Sequence, residues 1–415
     1  MKRDAQFARF AGYGFLKNLR FFEPFIVLFF REQGLSFLQI GTLFSVREIA
    51  INLLELPTGI IADLYGRRIS MVLSMIAYIV SFFCFYFFPN FYLYIGSMVL
   101  FALGEAFRTG THKAMILEYL RLTGQEDKKV EYYGATRSFS QLGSAVNSLI
   151  AAALVFYSGT YRMVFLVAVV PYILNLINLA TYPKALDGEI KKASKKESIK
   201  AFFQIFKNRY SLKGLFNSAF FDSFYKTVKE YLQPVLENMA LALPLFTFLS
   251  AQRRTSIVVG VVYFVLYLLT SYASRNSWKV SKFFGGKEKA LNVTYILGAL
   301  AIIFAGLFNS GMLRIVSVVL FIALFVLENM RRPMNVAYIS DTIAHTTMAS
   351  GLSAESQLKT LLAATLAPVI GLLADRFGVG AALAVMGIMM LFLYIFAKLD
   401  HVPENQPIKN SKSSS

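Results

Sequence analysis

Long apolar stretches separated by short polar connections run along the whole chain. About twelve of them reach the roughly 20 residues that an α-helix needs to cross a bilayer. We number them as spans 1 to 12; they lie near residues 7–31, 36–62, 69–88, 91–120, 132–157, 162–182, 214–240, 255–277, 290–308, 314–342, 352–373 and 379–399. This pattern predicts an all-α polytopic membrane protein with 12 transmembrane helices.

The longest polar connection divides the spans into six and six. It covers residues 183–213 and is rich in lysine. We therefore predict an N-terminal six-helix bundle at 1–182, a cytoplasmic basic linker at 183–213 and a C-terminal six-helix bundle at 214–400. The polar residues 401–415 are predicted to form a disordered cytoplasmic tail.

A charged box, Glu-x-x-Arg, occurs in span 4 and again in span 10, followed in both at the same spacing by alanine and a second acid. The first copy begins with Glu105 and Arg108, the second with Glu328 and Arg331. Because an intramembrane charge costs about 2.5–3.5 kcal/mol, both boxes are expected to face protein or water. Further matches link spans 1 to 7, 5 to 11 and 6 to 12. The preserved order indicates two parallel repeats.

Composition supports this interpretation and excludes several functions. The 415 residues are 56% hydrophobic and 16% charged, and the net charge is +18. The basic residues collect in alternate connections, which predicts a multi-pass protein of the plasma membrane with both termini cytoplasmic and argues against a nucleic-acid partner. One cysteine, three histidines and no phosphate-binding loop predict neither an enzyme nor a metal or cofactor site.

One sequence motif resembles that of a known family. The stretch that follows span 2 reads Gly59-Ile60-Ile61-Ala62-Asp63-Leu64-Tyr65-Gly66-Arg67-Arg68. It resembles the signature loop between helices 2 and 3 of the major facilitator superfamily. With the twelve spans and the basic central loop, the resemblance covers essentially the whole chain. It implies two pseudo-symmetric six-helix bundles, alternating access and a monomer in the lipid bilayer.

The same resemblance implies a gating role for the signature loop. In the family this loop latches the outward-facing state, and the matching residues are Gly59, Asp63, Gly66, Arg67 and Arg68. A similar stretch, Gly371-Leu372-Leu373-Ala374-Asp375-Arg376-Phe377-Gly378, follows span 11 on the opposite side. We predict no gating role for this second stretch.

The resemblance also implies that spans 1, 4, 7 and 10 line a central cavity, and these spans carry nearly all the deep charges. The predicted substrate-binding residues are Lys17, Arg20, Glu23, Lys226, Lys229 and Gln233. The predicted coupling and charge network is Glu105, Arg108, His112, Asp222, Glu230, Glu328 and Arg331. Each Glu-x-x-Arg box is expected to pair within one helix turn. That pairing would leave Arg20, Lys226 and Lys229 for a substrate anion.

The leading hypothesis is a secondary transporter of a small organic or phosphorylated anion or a zwitterion, with protons as an optional second partner. A proton-coupled exporter of amphipathic drugs is one alternative. The Gly-Pro motif in span 5 and the Arg-x-x-Gln-Gly pattern in span 4, both common in such exporters, are absent. A non-transporting receptor or scaffold, with its charges satisfied internally, is a second alternative.

Overall fold

The computed structural model describes residues 4–187, 209–342 and 348–400. All regular structure within these ranges is helical, and the helices coincide with the twelve predicted spans. Eight helices of the described residues are long and apolar enough to cross a membrane. The all-α polytopic fold is therefore confirmed. Residues 188–208 of the predicted linker and the predicted tail at 401–415 lie outside the described residues.

The helices of the first six spans are Ala5–Lys17 with Ile26–Glu32 (span 1), Phe37–Tyr65 (span 2), Arg67–Phe87 (span 3), Phe91–Arg108 with Thr111–Leu122 (span 4), Lys129–Ser158 (span 5) and Met163–Ala180 (span 6). Those of the last six are Arg209–Val228 with Leu232–Ala242 (span 7), Ala251–Arg275 (span 8), Lys287–Leu307 (span 9), Arg314–Thr342 (span 10) and Met348–Ala397 (spans 11 and 12). A short helix, Ser277–Phe283, precedes span 9.

Three of the spans are interrupted along their length. Span 1 breaks before Pro24, whose nitrogen has no hydrogen to donate, and its repeat partner, span 7, tightens into a 3₁₀ turn at Lys229–Tyr231. Span 4 breaks at Gly110, which adopts a φ of +76°. Span 10 has no such glycine and runs as one helix from Arg314 to Thr342. The two repeats therefore differ at the break in span 4.

The helices form two compact units. The first contains the described residues up to Asp187 together with Gln233–Leu268 and Ala367–Asp375. The second contains the remaining described residues of spans 7 to 12. The division into bundles at 1–182 and 214–400 stays a prediction.

Spans 3 and 4 pack closely in the first unit because small residues face each other. Serine hydroxyls of span 3 donate to backbone carbonyls of span 4: Ser70 to Phe107 at 3.0 Å, Ser74 to Gly104 at 2.7 Å and Ser81 to Ser97 at 2.8 Å. Small and hydroxylated residues let the two helices approach each other closely. Inside a membrane such packing is not driven by the release of water. A Cβ on Gly104 would lie 3.0 Å from the ring of Tyr78.

In the second unit, the ends of spans 7 and 12 are joined by an ion-pair cluster. Lys213 and the Nε atom of Arg209 each donate a hydrogen bond of 2.9 Å to Asp400. Hydrogen bonds from Lys213 and then Arg209 hold the pKa of Asp400 below its ordinary value. Arg209 is exposed, and Lys213 and Asp400 are partly exposed, so we expect the cluster to contribute little to stability.

We predict that Gly104→Leu lowers the thermal unfolding midpoint in detergent, because the added side chain overlaps Tyr78 and overpacking costs about 1–3 kcal/mol. Gly96→Leu is the control, since Gly96 lies in the same helix and a Cβ added there would have nothing within 4 Å of it. Intrinsic fluorescence or light scattering during heating measures both midpoints. Equal midpoints for the two variants would contradict the close packing of spans 3 and 4.

Candidate functional site

Glu105, at the end of the first segment of span 4, binds two arginines. One carboxylate oxygen pairs with Arg20 of span 1 and the other with Arg108 of span 4. The Arg20 Nε donates to the Tyr172 hydroxyl at 3.1 Å, and the Arg108 Nε donates to the Tyr78 hydroxyl at 3.4 Å. The predicted Glu105–Arg108 pair is present. The expectation that this pair leaves Arg20 free is wrong, because Glu105 holds both guanidinium groups.

This cluster carries excess positive charge. One carboxylate neutralises only one of the two guanidinium groups, and Lys17, the last residue of the first helix, lies three residues before Arg20 in the chain. Within the described residues, no carboxylate lies within 4.0 Å of the Lys17 ammonium. Excess charge among apolar helices is costly, so a bound anion would stabilise the cluster.

A cavity of about 250 Å³ opens beside the cluster, between spans 1, 4 and 5. It is lined by Phe10, Tyr13, Gly14, Lys17, Arg108, Gly110, His112, Lys113, Ile116, Tyr133, Thr136, Arg137 and Ser140. Four of these residues are cations and none carries a carboxylate. The predicted site residues Lys17, Arg108 and His112 therefore meet at one cavity, whereas Arg20 is not among its lining residues.

Two polar groups of the cavity wall have no partner among the described residues. The Tyr13 side chain is only 4% exposed, and its hydroxyl forms no hydrogen bond. The Nε2 atom of His112 is also buried without a partner. The two rings stack with centroids 3.9 Å apart, which holds both polar groups at the cavity. Buried polar groups normally find a hydrogen-bond partner, so this pair points to a ligand.

The second segment of span 4 begins at the same cavity. Gly110 is its N-cap and offers no side chain to its amides, and the first bond of the segment runs from the Ala114 amide to the Gly110 carbonyl at 3.0 Å. The amides of Thr111, His112 and Lys113 therefore precede the helical hydrogen-bond ladder. The positive end of a helix dipole thus lies beside Lys17 and Arg108.

The second charged box is arranged differently from the first. Arg331 is fully buried and donates to the Leu291 carbonyl at 2.5 Å, the Thr294 hydroxyl at 2.8 Å and the Asn217 amide oxygen at 2.6 Å. Its guanidinium carbon lies 4.0 Å from the centre of the Phe221 ring. The predicted Glu328–Arg331 pair is wrong, because neutral acceptors from spans 7 and 9 occupy the guanidinium. These bonds tie spans 7, 9 and 10 together, and the coupling role of Arg331 stays a prediction.

Glu328 belongs to a separate ionic network in the second unit. It pairs with Arg332 at 3.1 Å, while Asp222 pairs with Lys359 at 3.1 Å. Lys359 also approaches Glu355 at 3.6 Å. The sequence interpretation missed Glu355 and Lys359 on span 11. Their spacing of four residues within an apolar span is the signal that would have identified them.

The remaining predicted substrate residues lie elsewhere. Gln233 is buried and forms hydrogen bonds to the backbone of span 1 near its break. It accepts from the Val27 amide at 2.8 Å and donates to the Glu23 carbonyl at 3.0 Å. Lys229 pairs with its neighbour Glu230 at 3.4 Å. Lys226 and Lys229 belong to the second unit, whereas Lys17 belongs to the first. These bonds give Gln233 a place in the fold of span 1, and the substrate roles of Gln233, Lys226 and Lys229 stay predictions.

The signature loop is held by a residue that the sequence did not indicate. Gly66 adopts a φ of +97°, and a Cβ there would lie 2.8 Å from the Asp187 carboxyl carbon. Asp187 accepts from the Arg68 amide at 2.7 Å and so caps the helix of span 3. Asp63 is exposed and forms no hydrogen bond or ion pair with another described residue. The gating roles of Gly59, Asp63, Gly66, Arg67 and Arg68 stay predictions.

Comparison with known proteins identifies the architecture. The family model "Major Facilitator Superfamily" matches residues 7–356. The uncharacterised MFS-type transporter YxaM of Bacillus subtilis (strain 168) is 26% identical over 231 residues, which are 53% of this chain and 56% of that protein. The match therefore spans little more than half of the relative's length.

Solved structures share the fold over almost the whole chain. The nucleoside transporter NupG superposes with a TM-score of 0.74 at 12% identity, covering 94% of this chain and 98% of that chain. A D-xylose–proton symporter superposes with a TM-score of 0.70 at 13% identity, covering 95% and 97%. A POT family transporter in complex with 5-aminolevulinic acid does so with a TM-score of 0.70 at 15% identity, covering 94% and 93%. At these identities the likeness concerns the fold alone.

We predict that Glu105→Gln destabilises the protein by on the order of 3 kcal/mol, because it leaves two guanidinium groups among apolar helices without a counter-charge. Glu118→Gln is the matched control. The Glu118 carboxylate lies on the same span and pairs with Arg121, which is more exposed than Arg20 and Arg108. We expect its removal to lower the free energy of unfolding by no more than about 1 kcal/mol. Denaturant unfolding in detergent compares the two variants. Similar losses for both would show that Glu105 does not neutralise the cluster.

Proposed function

The chain belongs to the major facilitator superfamily, and we propose that it carries a small organic or phosphorylated anion, or a zwitterion, across the plasma membrane by alternating access. The family and the neighbouring folds are transporters rather than enzymes. The observation that carries the anion proposal is the cavity between spans 1, 4 and 5, with four cationic side chains and no carboxylate in its wall.

The chemistry of the wall favours an oxyanion. Lys17 supplies a point charge without an ion pair among the described residues, and Arg108 supplies a planar guanidinium of which Glu105 holds one nitrogen. Such groups bind carboxylates and phosphates through charge-assisted hydrogen bonds. A lipophilic cation would meet repulsion at this wall.

The size of the cavity favours a small substrate. Pockets for drug-sized molecules measure about 300–1,000 Å³, and this cavity of about 250 Å³ lies just below that range. The polar wall and the small volume together favour the anion carrier over the exporter of amphipathic drugs.

A pair of buried carboxyl groups in the second unit supports proton coupling. In the second unit, one carboxylate oxygen of Glu328 and one of Asp222 are buried without an assigned partner, and the two carboxyl groups lie within hydrogen-bonding reach of each other. A proton between them would satisfy both oxygens. We propose this pair as the place where a transported proton binds.

Both termini are proposed to lie in the cytoplasm, as the distribution of basic residues predicts.

We predict that small oxyanions raise the thermal unfolding midpoint of the purified protein, because a ligand of the native state stabilises it by about 2.7 kcal/mol at 100 times its Kd. The panel contains inorganic phosphate, glycerol 3-phosphate, succinate, glycine and tetraphenylphosphonium. Lys17→Gln should remove the stabilisation. Lys129→Gln is the control, since that lysine lies on the surface and pairs with Glu126 at 3.7 Å.

Two results would contradict the proposal. Stabilisation by tetraphenylphosphonium alone would support the exporter of amphipathic cations instead. Equal stabilisation of the wild type and Lys17→Gln by every anion would remove the cavity from the substrate pathway.

A further inference from the structure

The break in span 4 forms a defined subsite within the cavity. We propose that the oxyanion group of the substrate, a phosphate or a carboxylate, binds to the free amides at Thr111–Lys113 and to the Tyr13 hydroxyl. This inference rests on the proposed function, because it names the part of the cavity that holds the charged group. The oxyanion would bind to backbone amides, which the pattern of residue types in the sequence does not reveal.

Helix geometry supplies the first part of the argument. The segment Thr111–Leu122 has 12 residues, so its dipole is developed, and its N-terminal amides lie beside Gly110, His112 and Lys113 of the cavity wall. Backbone amides at a helix N-terminus are a recurrent binding site for phosphate and carboxylate groups. Broken transmembrane helices present their half-helix N-termini to anionic substrates in other transporters.

The Tyr13 hydroxyl supplies an independent observation. It is more than nine-tenths buried, lines the same cavity and has no hydrogen-bond partner among the described residues. A buried hydroxyl left without a partner costs stability, which a bound oxyanion would restore. Lys17 and Arg108 provide the compensating charge, so the subsite combines amides, a hydroxyl and two cations.

The test uses Tyr13→Phe with phosphate, glycerol 3-phosphate and succinate as probes, in thermal shift and calorimetric titration. The ligand-free variant should unfold at the same or a higher temperature than the wild type, because it loses only an unsatisfied hydroxyl. Its affinity for the preferred oxyanion should fall about tenfold. Tyr132→Phe is the matched control, since that hydroxyl is also buried without a partner in the described part of the chain and does not line the cavity. Its affinity should not change.

A second pair of variants tests the amides. Thr111→Pro removes one amide at the first helical position, where proline is tolerated, and Thr111→Ala removes only the side-chain hydroxyl. We expect the proline variant to bind the oxyanion more weakly than the alanine variant. The phosphate and succinate arms separate a phosphate site from a carboxylate site.

The outcomes distinguish the subsite from the proposed function. Unchanged affinity in both Tyr13→Phe and Thr111→Pro, together with loss in Lys17→Gln, would overturn the subsite and leave the anion carrier standing. If none of the oxyanions bound the wild type, both proposals would fail.

A second, independent inference concerns the motif after span 11. The Asp375 carboxylate accepts from the amides of Phe37 at 2.9 Å and Leu38 at 2.8 Å, the first two residues of the span 2 helix. A Cβ on Gly371 would lie 2.3 Å from the Phe37 carbonyl oxygen, and one on Gly41 would lie 2.2 Å from that of Ala367. The glycines therefore let spans 2 and 11 meet backbone to backbone while Asp375 caps the helix.

This motif repeats the signature loop. Both stretches read Gly-x-x-Ala-Asp-x-x-Gly, at Gly59–Gly66 and at Gly371–Gly378. In the described residues Asp375 is engaged, whereas Asp63 is exposed without a hydrogen bond and Gly59 faces open space. We infer that the Gly371–Gly378 motif is a latch that fastens the end of span 11 to the start of span 2, a contact for which the Gly59–Gly66 copy has no counterpart among the described residues. This inference departs from the sequence-based prediction, which gives Gly371–Gly378 no gating role.

Cross-linking of cysteines placed at positions 38 and 372 in a Cys84→Ser background tests the latch. Asp375→Asn should lower the cross-linking yield, because a weaker helix cap reduces the population of the closed contact between spans 2 and 11 about fivefold. Asp63→Asn should not lower the yield, because Asp63 takes no part in this contact. Asp127→Asn, in an exposed connection, is the control. An unchanged yield in Asp375→Asn, or an equal fall in Asp63→Asn, would overturn the latch.

Discussion

The candidate site depends on one carboxylate that serves two arginines. Glu105 stands at the end of the first segment of span 4 and pairs with Arg20 and Arg108. A single negative charge makes two guanidinium groups tolerable among apolar helices without cancelling both. The positive charge that remains, with that of Lys17, gives the neighbouring cavity its sign. If each arginine had a carboxylate of its own, the same helices would enclose a far less positive cavity.

The break in span 4 adds backbone hydrogen-bond donors and the end of a helix dipole to this positive charge. A helix that continued through Gly110 would keep its amides in the ladder and present only side chains to the cavity. The positive φ of Gly110 ends one helix and starts another, so a row of amides and a dipole end at the point where Lys17, Arg108 and Tyr13 meet. The cavity thus combines backbone donors with cationic side chains.

The two repeats show how similar sequences acquire different roles. In the first, Glu105 and Arg108 remain together near the cavity. In the second, Arg331 turns toward neutral oxygens and aromatic faces, and Glu328 pairs with Arg332. The spacing Glu-x-x-Arg permits an ion pair within one turn, and acceptors on neighbouring helices decide whether that pair forms. Within the described part of the second repeat, Glu328 and Arg331 therefore form no counterpart of the cluster around Glu105.

The sequence by itself determined the helices and the presence of buried charge, because bilayer thickness and the cost of an intramembrane charge act on any apolar helix regardless of its neighbours. It also indicated the signature loop from local residue order. The tertiary structure decided which partner each charge has, since Arg20, Arg331 and Asp375 all bind groups distant in the chain. It likewise decided that Gly110 and Pro24 interrupt their spans whereas Pro333 does not. Packing between helices makes these choices, and no spacing along a single helix contains that information.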